Sequence, residues 1–465
     1  MRRFIAALLL TGLGRAALAQ QPADTLRLTL DGAVQRALER GVELRLARAD
    51  VLEANGAVRE ALSAALPQVT GSLTYSRQFA SIYQGVAADT SSIAKLFQNT
   101  PFGAPNTWNL QIQASQLLWS GGKVGAALSA AKSVRQVAAL NQAETAADIT
   151  FQVKRAYWNA ALQRRLLAIA VENLDQARQH LREVQLFRQA GTRAEYDQLR
   201  AQVEAANQEP QVVQARNEYD IAMLELKRLL DVPAEQAVAL ETTPDSPDAT
   251  IPVLATDSLG GPDRPGLAAA EFAVSEQEQL LKVARANRWP TLSLSTTYTE
   301  QAFPADVFPA VDQFRRGWSG DLKLAFPIFL GFKTAGSIER ARAALLRAQA
   351  QRDQTRRQVE LEVAQARAEV DRARALIVAR RETVRQAQRA QHLAGVRYAN
   401  GMATQLEVSD ARVAQQQAEV NEVQATRDYF VALARLERAL GRPVPVVQQP
   451  IERLAQASHS GETQP

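Results

Sequence analysis

Cysteine is absent from all 465 residues, and histidine occurs only three times. The first absence removes disulfides, thiolate chemistry and a lipid-carrying N-terminal cysteine. The second leaves His180, His392 and His459 in no metal-ligand spacing, so His180 and His392 are expected as solvated helix residues. Walker loops, G-x-S-x-G elbows, H-E-x-x-H motifs and a G-x-G-x-x-G after a strand are missing too. No enzymatic activity, cofactor or metal is therefore expected. Beyond the first twenty residues there is no apolar run long enough for a transmembrane helix, so membrane residence would require β-strands. Charge of one sign is scarce as well. Three of the 54 Lys and Arg lie in residues 1–19, which leaves 51 against 49 acids and gives no reason to expect a nucleic-acid partner.

What is present begins with a targeting segment. Arg2 and Arg3 precede an apolar run from Phe4 to Leu13, and Ala17-Leu18-Ala19 makes a small-x-small cleavage site, the pattern of a secretory signal peptide over 1–19. The rest of the chain is written twice. Trp108 and Trp318, Gly121 and Gly331, Lys123 and Lys333, Gly191 and Gly401, and Pro233 and Pro443 all stand 210 positions apart. Upstream, Leu66-Pro67 and Trp289-Pro290, Tyr75 and Tyr298, and Gln78 and Gln301 stand 223 apart. The change falls between the two blocks, where length differences gather in exposed loops, 79–106 in the first repeat and 302–316 in the second. The order read for each repeat is helix, strand, loop, strand, helix, turn, helix.

Alternation supplies the strands, at about 68–78 and 107–118 in the first repeat and 291–301 and 317–326 in the second. Val69, Gly71, Leu73 and Tyr75 oppose Gln68, Thr70, Ser72 and Thr74, and Trp108, Leu110, Ile112 and Ala114 oppose Asn109, Gln111, Gln113 and Ser115. In the second repeat Leu292, Leu294, Tyr298, Trp318, Leu322 and Leu324 form the apolar set, with Thr296 as an exception. Period two over roughly ten residues fits a membrane strand, apolar outward and polar inward. Tyr75, Trp108, Tyr298 and Trp318 are expected at one membrane interface, and Trp119, Trp289 and Phe329 at the other. Four strands cannot close a barrel, and open edges are not tolerated in lipid, so oligomerisation has to supply the rest. Three chains give twelve strands.

Helices fill the remainder. Lys123 to Gln189 contains no proline and one glycine, Gly125. Leu167, Ala170, Leu174, Ala177, Leu181 and Val184 alternate spacings of three and four, a coiled-coil seam. Helical hairpins are expected at about 123–231 and 333–441, within repeats spanning 20–232 and 266–443. A proline-rich connector over 233–265, neither helix nor strand, joins them, and a polar tail follows at 444–465. Pro210 has no counterpart in the second repeat.

With these residues in view, the chain resembles the TolC-like outer membrane efflux proteins. The resemblance is carried by LTLDGAVQRALERGVELRLARADVLEA, LPQVTGSLTY, QLLWSGGKVGAALSAAK and the doubled glycine turn with VSDARVAQQQAE after it. It implies a mainly α protein with four β-strands per chain, a homotrimer closing a twelve-stranded outer membrane barrel, and a periplasmic α-helical tunnel. It further implies an exit duct for a tripartite efflux or type I secretion system, in contact with outer membrane lipid, a periplasmic adaptor and an inner-membrane transporter. The alternative is a soluble periplasmic coiled-coil scaffold or adaptor. Under the resemblance Gly191 and Gly401 are the periplasmic hairpin tips. Tyr398 is expected to reach Asp197 across a gate, and Glu407 and Asp410 to form an acidic ring. Ala403 departs from the family pattern, where an arginine stands two residues after the second glycine.

Overall fold

The computed structural model describes residues 25–80, 104–192, 194–241, 250–254, 263–304, 306–443 and 446–450. The signal peptide, most of the first loop and His459 lie outside them. A short strand β1 (Leu26–Leu28) leads into α1 (Leu30–Arg40) and α2 (Val42–Ser63). Strands β2 (Gln68–Arg77) and β3 (Asn106–Trp119) precede α3 (Lys123–Gln189) and α4 (Glu195–Leu229). After β4 (Val238–Leu240) and β5 (Thr250–Leu254), the pattern recurs as α5 (Pro265–Ala286), β6 (Thr291–Ala302), β7 (Arg315–Ala325), α6 (Lys333–Ala399) and α7 (Gln405–Leu440). Strand β8 (Val446–Pro450) follows.

The long helices α3 and α6 have 67 residues each, on the order of 100 Å at the usual rise. Each starts from a left-handed residue, Gly122 at φ 82° and Phe332 at φ 64°, which turns the chain sharply out of its strand. In α6, Val359, Val363, Ala366, Val370, Ala373, Ile377 and Val384 are buried. They keep the alternate spacings of four and three that hold one stripe on a partner helix, here α7. The stripe in α3 is similar, with Ala170, Leu174, Ala177 and Val184 buried and Leu167 and Leu181 half-buried. Helix α4 runs on through Pro210.

Two cores lie along these helices. One joins α6 to α7 around Ile377, Tyr429, Leu436 and Leu440. Burial pushes the Tyr429 hydroxyl up to about 12. The other gathers β1, α1, α3 and α4 around Val153, Tyr157, Leu226 and Leu230, and Tyr157 donates to the Leu28 carbonyl at 2.9 Å. Phe430 touches both cores and stacks on Trp158 at 4.0 Å, which locks the two repeats together.

The stretch expected as a plain connector holds two strands, and the polar tail holds a third. Strand β4 pairs in parallel with β1, and β5 pairs antiparallel with β8. Strands of three to five residues are too short to show a period, and their partners lie far off in sequence. Pro252 and Pro450 fit only because each sits in a two-stranded ribbon with a free side.

Ion pairs stitch α3 to the second repeat. Arg264, the residue before α5, bonds Glu144 of α3 at 2.8 Å and also pairs with Glu362 of α6, and Glu144 accepts from the Gly266 amide at 3.1 Å. Burial opposes the Arg264 charge, but its hydrogen bonds to both glutamates outweigh that and raise its pKa. Burial likewise pushes Glu362 up, yet hydrogen bonds from Gln358 and Arg264 hold it below its ordinary value of 4.5. Lys154 with Glu437 and Arg438 with Asp148 add two links from α3 to α7. Removing Arg264 leaves two carboxylates facing each other in a half-buried site. Arg264→Ala is expected to cost on the order of 3 kcal/mol at neutral pH, read from denaturant unfolding in detergent. A carboxylate with a lowered folded pKa stabilises above its unfolded value and loses that as pH falls through the folded one. The gap between parent and variant should therefore shrink below about pH 4.5.

Candidate functional site

Two regions carry the residues singled out from the sequence: the sheet and the helical tips. The sheet has the order β2-β3-β6-β7 and is antiparallel throughout. Its register places Gly71 opposite Ile112, Ile112 opposite Tyr298 and Tyr298 opposite Trp318. The apolar faces of all four strands consequently fall on one side. Among the described residues nothing covers that side: Val69 is 67% exposed, Leu322 67% and Trp318 83%. A contiguous apolar face of this size marks contact with lipid or with protein. No described helix is long and apolar enough to cross a membrane.

Polar residues on that face are satisfied. Thr296 accepts from the Trp318 indole at 2.7 Å and donates to the Ser319 carbonyl at 2.9 Å. Glu300 accepts from the Tyr298 hydroxyl at 2.6 Å and pairs with Arg316 at 3.1 Å. Gln116 donates to the Ala65 carbonyl at 3.0 Å. Neutralising each group locally lets it sit beside an apolar surface at low cost.

The aromatics meet in pairs. Tyr75 lies 5.0 Å from Trp108, whose indole donates to the Val307 carbonyl at 2.8 Å, and at the helical end Trp119 meets Trp289 edge-on at 6.4 Å. The two loop-end pairs are not level in register, because Trp108 stands opposite Ala302 and Tyr298 opposite Ile112, four positions along. Barrel strands tilt by about 35–45° and are staggered, so rings at one membrane height need not be register partners.

At the far ends of the long helices, both turns are built alike. Gly191 and Gly401 have φ of 72°. The Gly191 amide bonds the Arg188 carbonyl and Thr192 that of Phe187, and Gly401 and Met402 repeat this with Tyr398 and Arg397. A Cβ on either glycine would meet nothing within 4 Å, so the left-handed backbone is the reason for glycine.

Beside the turns, four helices converge. The His180 ring of α3 lies edge-on to Tyr398 of α6 at 6.2 Å. Gln405 of α7, buried, places its amide nitrogen 3.4 Å from the His180 ring and 3.5 Å from the Asp197 carbonyl of α4. His180, expected as a solvated surface residue, is instead half-buried in this contact, whereas His392 is exposed. Asp197 takes part through its backbone, and Gln405 was not foreseen. Its signal in the sequence was faint, a glutamine on a face that is buried only by packing against the first hairpin.

The two acids differ. Glu407 closes a capping box with Thr404 and pairs with Arg397 at 3.4 Å, while Asp410 is exposed. Glu407 is thus held at a helix start, where acids are favoured in any case. No group of acids and histidines that could hold a metal ion occurs among the described residues.

Comparisons with known proteins bear on both regions. A family model described as outer membrane efflux protein matches residues 33–231 and 262–442. Protein CyaE of Bordetella pertussis is 29% identical over 301 residues, 63% of this chain and 62% of CyaE. Outer membrane efflux protein BepC of Brucella suis is 26% identical over 455 residues, 94% of this chain and 89% of BepC. The matched region thus spans less than two thirds of CyaE, and most of BepC. Among solved structures, the outer membrane protein VceC of Vibrio cholerae superposes with a TM-score of 0.74 at 21% identity, covering 89% of this chain and 96% of VceC.

The caps and the tip pair can be ranked. Thr404→Ala should cost the start of α7 about 1 kcal/mol, whereas Arg397→Ala breaks an exposed pair worth about 0.5 kcal/mol or less. Amide exchange at residues 405–408 should accelerate more in the first variant than in the second.

Proposed function

The chain belongs to the outer membrane efflux protein family, and from that membership we propose that it is one of three identical staves in an exit duct through the outer membrane. The observation that carries this is the union of an uncovered apolar sheet face with two 67-residue helices. A sheet of four strands has two bare edges, and hydrocarbon offers those backbone groups no partner. Three sheets in a ring remove all the edges and give twelve strands. The polar faces, with Gln111, Gln113, Ser293 and Thr297, then line a wet lumen. The helices prolong it into the periplasm, and six hairpin tips present Gly191 and Gly401 to a periplasmic adaptor and an inner-membrane transporter. Export of solutes or polypeptides supplied from the inner membrane is the activity this assembly serves, with no chemistry performed on the cargo.

The tips are where such a duct must close at rest. Tyr398, His180, Gln405 and the Asp197 carbonyl tie α3, α4, α6 and α7 at one point, which makes them the fastening of the closed end. Three copies of Asp410 near a narrow opening concentrate negative potential there, and Glu407, already engaged by its cap and by Arg397, adds less. Purified protein in planar bilayers tests this. Tyr398→Ala combined with His180→Ala should raise resting conductance, as should Gln405→Leu. Asp410→Ala should lower cation preference more than Glu407→Ala does. Variants that conduct and select like the parent would remove these residues from the gate. A parent protein that fractionates as soluble and never conducts would overturn the duct itself.

A further inference from the structure

At its loop end the apolar face of the sheet is finished by a segment that arrives from the side. Asn106 opens β3 with the parity of Trp108, Leu110 and Ile112, which puts a polar side chain on the apolar side of the sheet. It is nevertheless only 2% exposed. Its amide oxygen accepts from the Tyr75 hydroxyl at 2.9 Å. Its amide nitrogen donates to the Asp306 carbonyl at 3.0 Å and, at 3.5 Å, to that of Pro304. Two positions on, the Trp108 indole donates to the Val307 carbonyl at 2.8 Å, and its ring lies 6.1 Å from that of Phe308. The connection between β6 and β7 therefore does not rise straight off its own strands. It crosses to the neighbouring strand β3 and is fastened to the rim of the apolar face, away from the side that carries Gln111, Gln113 and Thr297.

That fastening satisfies backbone carbonyls and leaves apolar side chains bare. Phe308 is 76% exposed and Val311 90%. Just beyond β2, at the same end of the sheet, Phe79 is 87% exposed and lies 5.8 Å from the Arg77 guanidinium. Bulky apolar groups held outward beside an already apolar surface extend that surface, and a surface of this kind marks a contact.

We propose that the segment 306–311 is a lipid-docking surface, resting on the outer-leaflet boundary of the membrane with Phe308 and Val311 entering the acyl chains. The proposal rests on the reading of the sheet as membrane-spanning. Continuity names the occupant: Phe308 sits against Trp108, which stands in line with Leu110 and Ile112 on the face assigned to lipid. A segment serving as a plug over the exit would have to lean to the opposite, polar side.

Charge argues for the same partner. Among the described residues of this rim, Arg77, Arg315 and Arg316 are matched by Glu300, Asp306 and Asp312, and Arg316 pairs with Glu300 at 3.1 Å. Balanced charge gives no long-range pull on an ionic partner, so the contact is held by apolar insertion and is insensitive to salt. The charged groups stay at headgroup level, where water and lipid dipoles solvate them, and Asn106 and Trp108 keep the segment from swinging away. The strand-to-strand connection thus acts as a stop that fixes how far the sheet sinks into the bilayer.

The natural chain has no cysteine, so one introduced thiol carries one fluorescent label. Full-length Phe308→Cys, labelled with bimane and reconstituted into phosphatidylcholine vesicles, should be quenched by a nitroxide attached to the lipid headgroup. Iodide in the bulk water should quench it several-fold less than it quenches a free bimane conjugate. Val311→Cys gives an independent reading should the first variant fail to fold. Leu322→Cys, within the apolar face, is the lipid reference and should be quenched by a nitroxide on the acyl chain. Adding Asn106→Ala to Phe308→Cys should raise iodide quenching by releasing the segment. If Leu322→Cys is lipid-quenched while both segment labels answer only to iodide, the segment stands in water and the proposal is overturned, with the membrane-spanning sheet intact. If Leu322→Cys itself answers only to iodide, the membrane reading fails and the docking surface with it. Loss of nitroxide quenching at high salt would show an ionic contact and overturn the apolar one.

Discussion

A peptide group facing hydrocarbon with no hydrogen-bond partner costs several kcal/mol, and the arrangement of this chain follows from avoiding that cost. Four strands satisfy their interior ladders and leave two edges. No single-chain solution closes them, since β2 and β7 stand at opposite ends of one sheet. An even number of strands with an antiparallel order is what lets identical sheets join head to tail without reversing direction. Heterologous contacts of this kind close into rings when the rotation permits.

The same repeat that makes such a ring possible has been edited between its two halves. Within the chain, α3 is fastened to the second repeat by Glu144 with Arg264, Asp148 with Arg438 and Lys154 with Glu437. Shifted by the repeat, those positions read Gln354 with Gly41, Gln358 with Arg228, and Ala364 with Lys227, none of them an ion pair. The join between the two repeats is therefore clamped by partly buried charge, where solvent screens less. Phe332 shows the same editing at one residue. Its counterpart is Gly122, and a left-handed phenylalanine costs about 1–2 kcal/mol that glycine would not. An exposed aromatic ring beside Phe329 is what the position holds instead.

At the tips, symmetry is again broken on a symmetric frame. Both turns have the same backbone bonds, but His180 has Ala390 as its counterpart, Tyr398 has Arg188 and Gln405 has Glu195. The fastening point thus exists once per chain and joins both hairpins, which two identical hairpins could not do with one set of side chains.

Much of this was written in the chain itself. The doubled glycine turn, the two offsets and the alternation in the strands are local or periodic signals, and periodicity survives without knowledge of any partner. They placed the long helices, the four sheet strands and the apolar face, because a helix stripe or a strand face is determined by spacing alone. Contacts between distant segments are different in kind. Strands β1, β4, β5 and β8 are too short to have a period, and only their pairing makes them strands. His180 looked solvated because nothing in its own helix predicts Tyr398 and Gln405 arriving from the other hairpin. Glu407 looked like part of an acidic ring, and the fold shows it tied to Thr404 and Arg397. Sequence determines which face of an element is apolar; only the tertiary structure decides which distant side chains meet there, since that depends on helix crossing and strand register summed over the whole chain.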